Sequence, residues 1–147
     1  MSKRVLILED DFNRIFTFKK NLVGLEVYVE ETALGAINKL ENESWDLLLL
    51  DHDLGGQQMV NSDDKNTGSE VARWLNEHPD KKPPTIILHS FNPTGIKNMK
   101  SLLPESAMIP GIWTHLTSEM ILQDGFSDLV KKEANFQNRC SREGIIV

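Results

Sequence analysis

Two uninterrupted apolar runs, Val5-Leu6-Ile7-Leu8 and Leu47-Leu48-Leu49-Leu50, constrain this chain more than any other feature. A strand with one wet face alternates apolar and polar residues, whereas a strand apolar at every position needs cover on both sides. Helices on both faces of a parallel sheet give that cover, so the runs predict an α/β fold with three layers, α/β/α, around an open parallel sheet. Both runs end in charge, the first in Glu9-Asp10-Asp11 and the second in Asp51-His52-Asp53. In open parallel sheets, ligands sit in the crevice beyond the carboxyl ends of the strands. If the two strands are neighbours, Glu9, Asp10, Asp51 and Asp53 converge there. Hard oxygen donors clustered in this way suit Mg²⁺ (or Mn²⁺), which takes carboxylates, retains waters and attracts phosphate. Single carboxylates at strand ends are ordinary turn or cap residues. Two such clusters on the innermost strands favour a metal and phosphate site.

The rest of the chain alternates strand and helix. Residues 4–10 read as a strand, 11 to about 22 as a helix, and 27–29 as a short strand. Thr32 can cap a helix carrying Ala33, Ala36, Ile37 and Leu40, and the leucine strand follows at 46–51. A polar connection runs from His52 to about Thr67, long for a strand-to-helix link. Gly68 to His78 reads as a helix stopped by Pro79, Thr85–Leu88 as a strand, and 94–103 as a helix. Two segments, 107–109 and 111–113, compete for a fifth strand with Pro110 between them. Ser118 to about Ala134 reads as a last helix, although Gly125 falls inside it.

A chain of 147 residues suits one domain, here 1–147. Sixteen basic against 22 acidic residues leave a net charge of −6, the wrong sign for a general nucleic-acid surface. No apolar stretch approaches the roughly eighteen residues a membrane span needs. Arg4 and Val5 enter the first strand directly, which leaves no room for a leader, and Cys140 is a lone cysteine. These features lead us to expect a cytoplasmic protein without a disulfide framework or a cysteine zinc site.

With these residues in place, the chain resembles a response-regulator receiver domain over residues 3–103. That family carries an acidic pair after strand one, matched by Glu9 and Asp10, and a phospho-accepting aspartate after strand three, matched by Asp51. Its Ser or Thr after strand four is matched by Ser90 or, shifted by one, His89. The resemblance implies receiver (flavodoxin-like) topology with strand order 2-1-3-4-5. The departures are specific. No strand-ending lysine follows Ser90, where the region reads Ile112-Trp113-Thr114-His115, and Leu54-Gly55-Gly56 replaces the usual apolar-Pro-Gly turn. His52, Asp53 and His89 are additions. These changes resemble the cyclic-phosphate-processing branch of receiver-like domains. That branch has an Asp-His-Asp-Leu-Gly turn, here Asp51 to Gly55, and a Thr-Gly opening the third helix, here Thr67-Gly68. Its block His-Ser-x-Asn-Pro-x-Gly-x-x-Asn-Met is matched from His89 to Met99, a long and specific agreement.

The resemblance implies Asp10 and Asp51 as direct metal ligands, Glu9 through water, and the Asp53 backbone carbonyl as a third position. The Asp53 side chain would then face the phosphate or the long loop. Asp51 is a candidate nucleophile or a ligand only. His89 and His52 can act as general acids or bases, though either alone is as readily a structural hydrogen-bonder. Ser90 and Asn92 can bond phosphate oxygens, Gly95 allows close approach, and Thr67-Gly68 offers a helix N-terminus to an anion. Trp45 and Trp74 read as core residues and Trp113 as packing near the pocket. The favoured function is binding or hydrolysis of a small phosphate ester, cyclic esters included, by Mg²⁺-dependent phosphoesterase chemistry. The alternative is a stand-alone receiver that takes a phosphoryl group on Asp51 from a phosphodonor protein and signals through a partner. A third reading keeps only partner binding. The Asp51-His52-Asp53 signature also resembles haloacid-dehalogenase-type phosphatases, but no later strand ends in paired acidic residues.

Overall fold

The computed structural model describes residues 3–144. Strands β1 (Arg4–Leu8), β2 (Glu26–Glu30), β3 (Leu47–Leu50), β4 (Thr85–Leu88) and β5 (Ala107–Met108) form one parallel sheet. Their order is β2-β1-β3-β4-β5, as the resemblance implied. Helices α1 (Phe12–Asn21), α2 (Ala33–Asn42), α3 (Gly68–Glu77) and α4 (Pro93–Leu102) follow the first four strands in turn. Past β5 come α5 (Ile112–His115), α6 (Ser118–Leu122) and α7 (Phe126–Arg142).

The continuous apolar runs split by parity. Leu6, Leu8, Leu48, Leu50, Ile86 and Leu88 pack with Ala36, Leu40, Val71, Leu75 and Met99 on the α2–α4 side. Val5, Ile7, Leu47, Leu49 and Ile87 pack with Phe18, Ile112, Leu116 and Val130 on the side of α1 and the C-terminal helices. Successive strand residues point to opposite faces, so every position is apolar because both layers are. Each fully buried aliphatic side chain contributes on the order of 1.5–3 kcal/mol, which makes β1, β3 and β4 the rigid platform. The helices after these strands start on side-chain caps: Asp11 accepts from Arg14 N, Thr32 from Gly35 N, Thr67 from Glu70 N and Asn92 from Gly95 N.

The long polar connection has no regular structure, yet polar contacts pin it. Asp53 and Thr67 bridge at its base, Arg73 Nη1 donates to Ser62 O at 2.7 Å, and Asn66 Oδ1 accepts from Ala33 N at 3.0 Å. Gly55 and Gly56 take φ of 72° and 73°, a region open to glycine without strain.

The structure corrects the boundaries. β1 and β3 are shorter than expected, ending at Leu8 and starting at Leu47; Asp46 instead uses its carboxylate to accept from Arg4 N at 2.8 Å. The fifth strand is only Ala107–Met108, because Pro110 has no N–H to donate and Gly111 turns the chain at φ 67°. The competing segment at 111–113 is therefore the start of α5. The last helix is two helices: Gly125, at φ 88°, separates α6 from α7, which continues to Arg142. Among the described residues, no helix is long and apolar enough to cross a membrane.

Candidate functional site

Register builds the site. Leu8, Leu50 and Leu88 stand level across β1, β3 and β4. The ladder continues one residue further, with Asp51 N donating to Leu8 O and His89 N to Leu50 O, both at 3.1 Å. Glu9, Asp51 and His89 are therefore side by side, on the face that also carries Phe18, whose ring meets the His89 ring edge-on with centroids 5.3 Å apart. One ligand atom from each of the three lies within 4.8 Å of the others, and all three residues are buried.

The inventory of partners is uneven. Glu9 Oε1 accepts from Asp11 N at 3.1 Å, and Asp51 Oδ1 accepts from His52 N at 2.8 Å. Among the described residues, Glu9 Oε2 and both ring nitrogens of His89 have no hydrogen-bond partner. An unpaired buried polar atom costs about 1–3 kcal/mol, so three in one place make this a candidate position for a ligand. Two carboxylates and an imidazole are the donor set a Mn²⁺ or Mg²⁺ ion accepts. This group of residues thus has the composition and burial to hold a metal.

Burial pushes the Glu9 carboxyl up from its ordinary range, and Asp51 rises through burial together with the charge of Glu9. Burial, reinforced by Arg14, pushes His89 down to about 3. Although His89 Nδ1 lies 3.3 Å from Glu9 Oε2, the imidazole is neutral at physiological pH and the contact is not an ion pair.

Above this cluster opens a cleft of about 490 Å³, whose lining includes Asp10, Arg14, Asp51, Met59, Ser90 and Phe91. Asp10 Oδ2 accepts from Gly56 N at 2.6 Å, tying the loop to the end of β1. Asp53 lines the cleft too, but its carboxylate is occupied. It accepts from Asn92 Nδ2 at 3.0 Å and from Met59 N and Val60 N at 2.7 and 3.2 Å, and it contacts His52 Nδ1 at 2.8 Å. Burial raises its pKa, and the bonds from Asn92, His52 and the two amides outweigh that and hold it below the usual value.

His52, Thr67, Gly68 and Asn92 stand behind the cleft. His52 is two residues past Leu50, so parity turns it toward α3 and α4, where Nε2 meets Ser69 Oγ at 2.9 Å. A Cβ on Gly95 would collide with the His52 ring, and one on Gly68 with the Asp51 carbonyl. Those glycines are needed for packing. Asn92 caps α4 through Gly95 N at 2.9 Å while Ser90 Oγ accepts from Asn92 N at 3.0 Å.

Sequence reasoning missed Arg14. It sits in the first turn of α1, with Nη1 3.8 Å from Glu9 Oε2 and 3.9 Å from Asp51 Oδ2. Its guanidinium lies over the rings of Phe91 and Trp113, 5.1 and 4.4 Å from their centroids. A cation in a first helical turn opposes the helix dipole. That mismatch was the available signal.

Comparison with known proteins agrees with the geometry. The signal receiver domain of a Luxo repressor protein from Vibrio parahaemolyticus matches with a TM-score of 0.61 at 18% identity, over 94% of this chain and 96% of that one. A CheY-like response regulator receiver domain from Methanospirillum hungatei matches with a TM-score of 0.59 at 20% identity, over 95% and 98%. The Mn²⁺-bound form of response regulator Rcp1 matches with a TM-score of 0.58 at 16% identity, over 92% and 94%. At these identities the likeness is one of fold. No curated protein matches the chain in sequence. The family model for the cyclic-phosphate processing receiver domain matches residues 5–105, well over half of the 147. The buried acidic cluster, the receiver topology and this match together place the chain in the cyclic-phosphate-processing receiver domain family.

Proposed function

We propose that the cleft binds a small phosphate ester, cyclic esters included, beside a Mg²⁺ or Mn²⁺ ion held by Glu9, Asp51 and His89, and hydrolyses it. The observation that carries this reading is the set of unpartnered buried atoms, Glu9 Oε2 and both His89 ring nitrogens, next to an open cleft that Glu9 and Asp51 line. A Mn²⁺-bound response regulator among the structural neighbours supports a cation on this fold. When bound, the ion supplies Lewis-acid polarisation of the phosphoryl group and screens it from the carboxylates.

The chain's own residues have separable tasks. Asp51 keeps Oδ1 on the His52 amide, which leaves Oδ2 to face the ion or the phosphorus. His89 is neutral and walled in, so it serves as a ligand or hydrogen-bond partner next to the cleft rather than as a proton shuttle to solvent. Ser90 and Asp10 line the cleft, where the serine hydroxyl can donate to a phosphate oxygen. His52, Asn92, Thr67 and Gly68 fix the loop and the starts of α3 and α4, and we assign them positioning roles. Asp53 belongs with them through its carboxylate.

A receiver phosphorylated on Asp51 by a phosphodonor protein is the competing reading, favoured by the signal receivers among the structural neighbours. Both readings suit a cytoplasmic protein. Incubation with acetyl phosphate and Mg²⁺, followed by intact mass, separates them from each other. A lasting phosphoryl mass that is lost in Asp51→Asn supports signalling. No adduct, with metal-dependent product release from a panel of cyclic phosphates, supports the enzyme. Neither adduct nor product, with no phosphate binding, overturns the proposed function.

A further inference from the structure

We propose that Arg14 is the phosphoryl-binding cation of the cleft, held as a pre-aimed fork by Phe91 and Trp113; this rests on the phosphate-site reading above. Arg14 is the basic side chain lining the cleft, opposite the ends of β1 and β3. Its closest carboxylate oxygens are 3.8 and 3.9 Å away, beyond hydrogen-bond reach. Among the described residues the guanidinium donors are therefore uncommitted, although two acidic residues stand close by. A residue serving only as their counter-ion would close to about 2.8 Å and bond them.

The aromatic bracket explains why it does not. Phe91 and Trp113 meet edge to face with centroids 5.6 Å apart, and the guanidinium rests against both. Cation–π contacts of this kind contribute on the order of 1 kcal/mol each and fix the plane of the guanidinium. A planar fork with free parallel N–H groups is the shape that binds two oxygens of a phosphate at once. Charge counting points the same way. Glu9, Asp10 and Asp51 carry three formal negative charges, which a divalent ion and Arg14 together balance. Without Arg14 the loaded site stays net negative and repels an incoming phosphate.

The test is the binding of inorganic phosphate to the full chain saturated with Mg²⁺, followed by calorimetry and by tryptophan emission. The variants are Arg14→Gln, Arg14→Lys and Trp113→Phe. Arg14→Gln should weaken phosphate at least about tenfold while Mg²⁺ still binds as tightly as in the wild type or more so, which also shows that the site has folded. Arg14→Lys keeps the charge but not the fork and should fall between the two. Phosphate should change Trp113 emission in the wild type, and that change should vanish in Arg14→Gln and Trp113→Phe. Equal phosphate affinity in wild type and Arg14→Gln overturns the role of Arg14 and leaves the phosphate site standing. Phosphate binding by none of the proteins, with Mg²⁺ bound, overturns both.

Discussion

His52 and His89 leave neighbouring strands at the same end of the sheet, and both are buried, yet their surroundings are opposites. Around His52 both ring nitrogens are engaged, and its partner Asp53 is saturated by Asn92, Met59 and Val60. Around His89 neither ring nitrogen has a hydrogen-bond partner among the described residues, and Glu9 Oε2, 3.3 Å from Nδ1, is itself unpaired. One residue of strand parity separates the two cases: His52 lies two positions past its last strand residue and His89 one. The even position turns into the layer of α3 and α4, where helix starts and a polar loop supply partners. The odd position turns toward Glu9 and Asp51, where no hydrogen bond to the ring is formed among the described residues. A polar network that is complete stabilises and orders its surroundings; one that is incomplete is the mark of a place kept for a ligand.

The same substitution at both histidines should break the comparison or establish it, and it has the largest expected effect. His52→Leu leaves the buried Ser69 hydroxyl without its ring partner, removes one of the contacts of Asp53, and should cost about 2–4 kcal/mol. His89→Leu removes two unpaired buried nitrogens and should stay within about 1 kcal/mol of wild type, on either side. Urea unfolding of both variants without metal decides; equal losses would remove the distinction. Next in size is Gly95→Ala, whose new methyl meets the His52 ring while that ring is tethered at both nitrogens. It should cost about 1–3 kcal/mol, whereas a ring free to move would let the helix gain from alanine instead.

Third come the ligands. Asp51→Asn and Glu9→Gln should each weaken Mg²⁺ or Mn²⁺ by about tenfold or more in calorimetry. His52→Leu, assayed under conditions where it is folded, should change metal affinity far less. Metal should also raise the unfolding midpoint of the wild type and not that of Asp51→Asn. An Asp51→Asn protein that binds and is stabilised like the wild type would sink the site.

The smallest effect is the pH dependence of the metal-free protein, and its two limbs have opposite signs. The folded pKa values of Glu9 and Asp51 are raised, so their contribution is present at low pH and is lost as pH rises through those values. His89 is depressed to about 3 from an ordinary 6.5, so the unfolded chain takes up a proton that the folded one refuses, and stability falls as pH drops below about 6.5. The carboxyl contribution therefore falls from the ordinary carboxylate range up to about 8 and the histidine contribution falls below about 6.5, and thermal unfolding across pH should show Asp51→Asn flattening the first limb and His89→Leu the second. Variants that each keep both limbs of the wild-type profile would contradict the assignment.

Much of this was readable in the chain. Continuous apolar runs declared buried parallel strands, because the need for cover on both faces is a local property of the residues themselves. Their acidic ends declared the position of the site, because parallel sheets gather ligands at one edge. The Asp51-to-Gly55 turn and the His89-to-Met99 block carried the family, which the match over residues 5–105 shows. The weaker elements were not readable: β5 is two residues long, and its identity depends on pairing with Ile87 and Leu88 rather than on its own propensity. Gly125 read as a tolerated interruption, and only its left-handed backbone shows that it ends one helix and starts another.

What the sequence determined by itself was the layer architecture and the set of chemical groups brought to the end of the sheet. What the tertiary structure alone decided was the division of those groups into a packed polar network and an open cluster, and the recruitment of Arg14. Cross-strand register put Glu9, Asp51 and His89 side by side. The bracket of Arg14 joins a residue of the first helix to Phe91 after β4 and Trp113 in α5. Such contacts exist only once the chain has closed on itself, and no local pattern of residues encodes them.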